Sequence, residues 1–136
     1  MRPRRVARPR LPGRHVPEHA GLATDAMSVK TLASGGVGMI TGTDGGNIAA
    51  FQGYSVHREL RLLQEAGLSA WDALIATTSN AGRLLGKKWG MAVGDEGTVV
   101  VLDASPLTDM RNTERINTVI LRGVRVDRDA LRPKVE

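Results

Sequence analysis

The middle of the chain carries the apolar pattern of an amphipathic helix. Val56, Leu60 and Leu63 recur at positions i, i+4 and i+7, which places them on one face of a helix. Ser55 stands at the start of this stretch, and Gly67 follows it in the position where a left-handed residue usually ends a helix. The pattern therefore predicts one amphipathic helix that begins at Ser55 and is stopped by Gly67.

Two shorter helices are predicted directly after it. Ser69, followed three residues later by Asp72, forms a capping box that predicts a helix over residues 70–77. A third short helix is predicted over residues 80–85, where Gly86 closes it. We therefore expect an uninterrupted series of helices in this part of the chain.

Upstream of these helices, the sequence predicts a helix followed by a strand. Thr24 is a suitable N-cap for a helix over residues 25–33, and two consecutive glycines stop that helix. The apolar run at residues 37–43 then predicts a strand, which completes an αβ unit. Residues 45–54 follow as a glycine-containing loop with two of the chain's four aromatic residues, as is typical of a loop that faces a ligand.

Downstream, the pattern changes from helical to β. Residues 94–97 (Gly-Asp-Glu-Gly) predict a turn, and the β-branched run at residues 98–102 predicts a strand. Residues 116–126 predict a hairpin around Arg122 and Gly123. The last part of the sequence is therefore expected to form β structure.

The positive charge of the chain is concentrated at its start. The net charge is +5, but six of the 19 basic residues are arginines within the first fourteen positions, where no acidic residue occurs. The remaining 13 basic side chains face 14 acidic ones, so the body lacks the basic footprint of a nucleic-acid-binding protein. Proline interrupts the arginine-rich segment, which argues against a helix and against an amphipathic transit sequence. We expect residues 1–23 to form a disordered Arg/Pro-rich tail.

Composition also indicates the compartment. The 136 residues suit one modest domain, and the absence of Cys excludes disulfides and thiolate metal sites, which suits a reducing cytoplasm. No stretch approaches the roughly 18 apolar residues of a membrane helix, and the basic start lacks the apolar region of a secretory signal. We therefore expect a soluble, cytoplasmic protein that does not bind membranes.

Four pieces of the sequence stand in an order and spacing that match a known family. They are residues 41–47 (TGTDGGN), 57–67 (HRELRLLQEAG), 72–86 (DALIATTSNAGRLLG) and 94–109 (GDEGTVVVLDASPLTD). Together they resemble the C-terminal part of metal-dependent amidohydrolases related to imidazolonepropionase, over most of the chain from Met27 to Val126. One departure is Glu96-Gly97, where the family usually has Ala-Asp.

The resemblance implies an α/β fold. It implies the C-terminal fragment of a (β/α)8 barrel, with the last strand and helices, followed by strands of a small β-sandwich domain. The barrel part would cover residues 24–93, and the C-terminal β segment would cover residues 94–136.

The resemblance also assigns a role to Asp44. Barrels of this kind place their chemistry at the C-terminal ends of the strands, and Asp44 directly follows the predicted strand. The family's residue at this position binds a divalent metal, in the complete enzyme zinc, and accepts a proton from the attacking water. From the local sequence, an alternative is that Asp44 and Gly45 form only a hairpin turn between two strands.

The family's other metal ligands are missing upstream of Asp44. Family members carry a His-x-His pair, a bridging Lys or carboxylate and two further His, whereas this chain has only His15 and His19 there. Zinc needs at least three protein ligands, so Asp44 by itself is not expected to hold the metal. We therefore expect the inherited activity to be hydrolysis of a non-peptide carbon–nitrogen bond in a small molecule, by an enzyme of which this chain is an incomplete, inactive part. Such a part is either the product of a truncated or frame-shifted reading frame or one half of a split enzyme with a complementary N-terminal chain. The alternative is a non-catalytic module that binds or regulates another protein through its helical surface.

Three further groups were weighed as sites. The segment from His15 to His19 fits a His-x-x-Glu-His metal motif, but Pro17 interrupts the helix which that motif requires. His57, on the first turn of its helix, is expected to have a structural or loop-packing role. The pair Lys87 and Lys88 follows a helix end, where the helix dipole accounts for positive charge.

Overall fold

The computed structural model describes residues 18–48 and 50–131, with side chains from residue 24 onward. Helices and a small antiparallel sheet make this an α/β arrangement, as predicted. The described elements are helices α1 (Glu18–Ser34), α2 (Tyr54–Glu65), α3 (Ala70–Thr77) and α4 (Ser79–Leu84), strand β1 (Val99–Leu102), the 3-10 helix η1 (Met110–Glu114), and strands β2 (Ile116–Leu121) and β3 (Val124–Arg125).

Helix α2 ends as its sequence predicts. Gly67 has φ 103°, and its N–H donates to the Gln64 carbonyl at 2.9 Å. The Leu68 N–H donates to the Leu63 carbonyl at 3.1 Å, which completes a Schellman motif. Leu68 also packs against the apolar core, so the cap and the core fix the end of α2 together.

The N-cap of α3 at Ser69 is confirmed, although Asp72 bonds to the Ser69 hydroxyl rather than to the Ser69 backbone N–H of a full capping box. The Ser69 hydroxyl oxygen accepts a hydrogen bond from the Asp72 N–H at 3.1 Å and lies 2.6 Å from the Asp72 carboxylate, to which it donates. Helices α2 and α4 both begin one residue earlier than predicted, at Tyr54 and Ser79. The three predicted helices are therefore present, with shifts of one residue at their ends.

The predicted start of α1 is wrong. Helix α1 begins at Glu18, so Thr24 lies inside the helix and cannot be its N-cap. The helix also enters the segment that we predicted to be a disordered tail, because no proline occurs between Glu18 and Ser34 to interrupt it. Residues 1–17 lie outside the described part of the chain.

The run at residues 37–43, which the sequence predicts to be a strand, has no strand partner among the described residues. These residues form no strand, and the described strands pair only antiparallel in the order β1-β2-β3. The physical reason is that a strand is defined by its hydrogen-bonded neighbours, and the described residues offer this run none. A role for residues 37–43 as a strand of a barrel is therefore a proposal.

The C-terminal hairpin is confirmed. Strand β1 pairs with β2, with Val99 opposite Ile120, and β2 pairs with β3. Arg122 and Gly123 connect β2 to β3 with φ 51° and 78°. Positive φ at both central residues is the signature of a type I′ turn, whose twist matches that of the flanking strands.

The apolar core is small and lies between α2, α3 and η1. Many large apolar side chains elsewhere in the described residues are exposed, among them those of Phe51 and Trp71. The buried apolar residues of the described chain are Leu60, Leu63, Ala66, Ala73, Ala76 and Met110. Since α2 contributes its predicted leucine face, its position is fixed mainly by this core.

None of the described helices is both long and apolar enough to cross a membrane.

Candidate functional site

Asp44 lies in a tight turn that follows the unpaired run at residues 37–43. Its φ of 48° is left-handed, a conformation that Asp tolerates better than most residues. Its carbonyl accepts a hydrogen bond from the Asn47 N–H at 3.2 Å. Among the described residues no paired strands flank this turn, so Asp44 and Gly45 do not form the hairpin turn that was the alternative prediction.

The Asp44 carboxylate is exposed and held by one of its two oxygens. The Asn47 amide nitrogen Nδ2 donates to Asp44 Oδ2 at 3.2 Å, while Asn47 Oδ1 accepts from the Ile48 N–H at 2.8 Å. The bond to Ile48 sets which end of the Asn47 amide faces Asp44. Asp44 is exposed, and the described residues provide no hydrogen-bond partner for its Oδ1.

Two helices hold the backbone that leads to Asp44. The Gly42 N–H donates to Glu59 Oε1 on α2 at 2.9 Å. The Asn80 amide nitrogen on α4 donates to the Met39 carbonyl at 2.8 Å. Both side chains lie within the sequence pieces that resemble the amidohydrolases, but the sequence analysis did not single either out, because each acts on backbone far away in the sequence.

The described residues do not fit a metal site. No group of three or more His, Cys, Asp or Glu side chains within residues 24–48 and 50–131 lies close enough together to hold an ion. Asp44 therefore supplies a single carboxylate where zinc needs several ligands. His15 and the side chain of His19 fall outside the described residues, and so does the His-x-x-Glu-His match that Pro17 interrupts.

His57 contacts η1 through its ring nitrogen. Nδ1 lies 3.0 Å from Thr113 Oγ1, and the Thr113 hydroxyl donates its only hydrogen to the Met110 carbonyl at 2.7 Å. The imidazole must therefore donate through Nδ1–H, which leaves Nε2 as the unprotonated nitrogen of the neutral ring. Burial lowers the pKa of His57, and although Glu114 opposes this effect, burial is the larger cause. The contact agrees with the packing role that the sequence predicted.

A second contact joins the same two elements. The Arg61 guanidinium on α2 pairs with the Glu114 carboxylate on η1, and it also donates to the Tyr54 hydroxyl at 3.4 Å. The hydrogen bond to Tyr54, followed by that to Glu114, raises the pKa of Arg61. Helix η1 was not predicted from the sequence. Its local signal is Asp109, which caps it by accepting from the Arg111 N–H at 2.9 Å.

A cleft of about 380 Å³ lies at the other end of the run. Its walls include Lys30 of α1, residues 36–39, and Asp72 of α3. Asp44 does not line this cleft, because it follows the opposite end of the run. The exposed carboxylate, rather than this cleft, is therefore the candidate site.

The fold matches solved hydrolases over most of this chain. A candidate prolidase from Bifidobacterium longum is 30% identical, with a TM-score of 0.69 over 75% of this chain and 26% of its own. Molinate hydrolase is 24% identical, with a TM-score of 0.67 over 78% of this chain and 27% of its own. Phenylurea hydrolase B is 24% identical, with a TM-score of 0.70 over 88% of this chain and 31% of its own.

The described chain therefore has the fold of a segment of these hydrolases. It spans between about a quarter and a third of the length of those structures. The resemblance to the C-terminal part of an amidohydrolase-family protein, predicted from residues 27–126, is confirmed by these structural neighbours. No protein-family model and no curated protein sequence matches the chain.

Proposed function

We propose that this chain forms part of an amidohydrolase that cleaves a non-peptide carbon–nitrogen bond of a small molecule. The observation that carries the proposal is the Asp44 carboxylate, exposed in a left-handed turn on a fold shared with hydrolases. Residues in unusual backbone conformations concentrate at functional sites. This turn therefore supports a chemical role for Asp44 as well as a structural one.

In the proposed reaction, Asp44 acts as the general base. Asn47 anchors Oδ2, so the carboxylate presents Oδ1 to solvent in a defined orientation. A water in hydrogen-bond reach of Oδ1 gives its proton to the carboxylate as its oxygen attacks the carbonyl carbon. The proton then returns to the departing nitrogen, which leaves as an amine.

This chain would supply the C-terminal part of the enzyme, and the remainder would come from elsewhere. Residues 24–93 would supply the end of a (β/α)8 barrel, in which the run at residues 37–43 gains strand partners, and residues 94–136 would supply a C-terminal β segment. The resemblance implies a divalent metal, zinc, toward which the described residues offer only Asp44. The other ligands would belong to a further segment or a complementary chain in the cytoplasm.

The first test is to read the genomic DNA on the 5′ side of the codon for Met1 in all three frames. An encoded His-x-His strand followed by two further His codons would support the proposal. Their absence from the whole locus would favour the alternative, a binding module that acts through its helical surface. Many exposed apolar side chains in the described residues, such as Trp71, are compatible with that alternative.

The second test is a chimera. Residues 24–131 replace the matching segment of phenylurea hydrolase B, and hydrolysis of a phenylurea is measured after circular dichroism confirms folding. In a working chimera, Asp44→Asn should lower the rate by about 10²-fold or more, as expected for loss of a general base. Asp25→Asn is the matched control, since Asp25 is an exposed aspartate on α1 and should leave the rate unchanged. An Asp44→Asn chimera with undiminished activity would remove Asp44 from the mechanism.

A further inference from the structure

Side chains of two helices, rather than neighbouring strands, form hydrogen bonds with the backbone of residues 37–43. Asn80 binds the Met39 carbonyl, and Glu59 binds the Gly42 N–H at 2.9 Å. Both donor–acceptor distances are in the normal range for N–H···O bonds. The Val37 N–H also donates to the Leu32 carbonyl at 3.1 Å, so the bonds from Asn80 and to Glu59 are the described polar anchors of the run beyond its first residue.

Glu59 is the anchor nearer to the site. Only one residue separates Gly42 from Asp44, so a fixed Gly42 N–H fixes the backbone that enters the turn. Glu59 itself is well placed, because the adjacent Leu60 is in the core and holds α2. A bond from an N–H to an ionised carboxylate is stronger than a neutral one, which suits a single contact that replaces a ladder.

The second oxygen of Glu59 makes this arrangement unusual. Glu59 Oε2 is the one buried side-chain nitrogen or oxygen in the described part of the chain without a hydrogen-bond partner. A carboxylate that served only as a surface group of α2 would turn both oxygens to water. Its inward position therefore indicates that the contact with Gly42 decides where the side chain lies.

We propose that Glu59 is a positioning residue for Asp44. Through the Gly42 N–H, it holds the turn in one place, and the turn holds the anchored carboxylate. A base that is fixed in this way keeps its reach to the attacking water, because misplacement by about 1 Å can reduce a rate by roughly 10²-fold. The chemical purpose of this contact rests on the proposed function, whereas the contact and its effect on the turn do not.

The test uses the full chain and nuclear magnetic resonance, and it needs no substrate. The Gly42 amide proton shift is compared at neutral pH between the wild-type chain and its variants. It should move upfield in Glu59→Met, which removes the acceptor of the Gly42 N–H, and stay close to the wild-type value in Asp44→Asn. Glu65→Met is the matched control, since Glu65 is an exposed glutamate on the same helix, and its Gly42 shift should be that of the wild type.

Amide exchange then measures the turn. Glu59→Met keeps the length of the side chain and its helix propensity but removes the acceptor. Exchange of the Asn47 N–H should accelerate by about tenfold or more in Glu59→Met, remain within about twofold in Glu65→Met, and be partly restored in Glu59→Gln. Exchange of the Leu63 N–H in the buried face of α2 should not change.

Three results would overturn the positioning role. They are a Gly42 shift that is the same in Glu59→Met as in the wild type, Asn47 exchange that is the same in both Met variants, and Leu63 exchange that accelerates as much as that of Asn47. The last result would show that Glu59 stabilises helix α2 as a whole and does not act on the turn specifically. If the Asp44→Asn chimera stays active while Asn47 exchange responds to Glu59, the proposed function fails and the positioning role stands.

Discussion

Replacement of Met110 by alanine should destabilise the chain more than any substitution on its surface. Met110 is 2% exposed and belongs to the same core cluster as Leu60 and Ala73, although it comes from η1 rather than from a helix of the series α2–α4. Its side chain therefore joins the C-terminal part of the chain to the helices. The substitution removes three heavy atoms beyond Cβ and leaves a void in a core that has few other residues.

The expected loss is about 2–5 kcal/mol, the usual cost of shortening a buried methionine to alanine. That loss is a large part of the total stability of roughly 5–15 kcal/mol that small domains have. With a urea slope of about 1–3 kcal/mol per molar, the unfolding midpoint should fall by roughly 1 M or more.

The assay is urea unfolding, followed by far-ultraviolet circular dichroism and by tryptophan fluorescence. Met91→Ala is the matched control, because Met91 is the same residue type and is 88% exposed. It should change the free energy of unfolding by less than about 0.5 kcal/mol. Equal midpoints for the two variants would refute the reasoning, since they would show that η1 does not pack on α2 as described.

Three further predictions concern pH and helix ends. Burial lowers the folded-state pKa of His57. The stability that His57 contributes is therefore complete above its unfolded pKa of about 6.5 and is lost as pH falls through the folded pKa. His57→Gln should consequently reduce the drop in urea midpoint between about pH 7.5 and 5. Ser69→Ala should cost about 0.5–2 kcal/mol in urea unfolding, whereas Ser79→Ala, at a helix start with no side-chain cap, should cost less than about 0.5; equal costs would contradict the capping role. Gly67→Ala should lower the thermal midpoint, at a cost of about 1–2 kcal/mol for a left-handed alanine, and Gly38→Ala, which meets no atom within 4 Å and has no positive φ, should not match it.

The elements that the sequence predicted correctly are those with local causes. Ser69 caps α3 through its own neighbour three residues on, and Gly67 ends α2 through bonds to the preceding turn. The hairpin at Arg122 and Gly123 is equally local. Each of these features depends on residues a few positions apart, so a single sequence contains the information that is needed.

Two elements that it did not predict as observed depend on distant partners. Residues 37–43 have the composition of a strand, but pairing requires neighbours that the described chain does not provide. Helix η1 has no apolar period, and its place is set by contacts of Met110 and Thr113 with α2, more than 45 positions earlier. Propensity cannot register such contacts.

The candidate site divides in the same way. Asp44 was found through the resemblance of residues 41–47 to a family motif, and its role as a base remains a prediction for the chimera to test. Glu59 was present in a matching piece, but its role depends on an acceptor that reaches backbone 17 positions away. Nothing in the local sequence around Glu59 distinguishes it from the other charged residues of α2.

Helix α2 connects η1 to the backbone beside Asp44. Its polar contacts with η1 are made by His57 and Arg61. On the same two turns, Glu59 accepts a hydrogen bond from the Gly42 N–H, close to Asp44. Because His57, Glu59 and Arg61 lie on one short helix, we expect a displacement of η1 to move α2 and the backbone at Gly42 together. The strands lie next to η1. A force on the strands would therefore act through η1 and α2 on the backbone beside the Asp44 carboxylate.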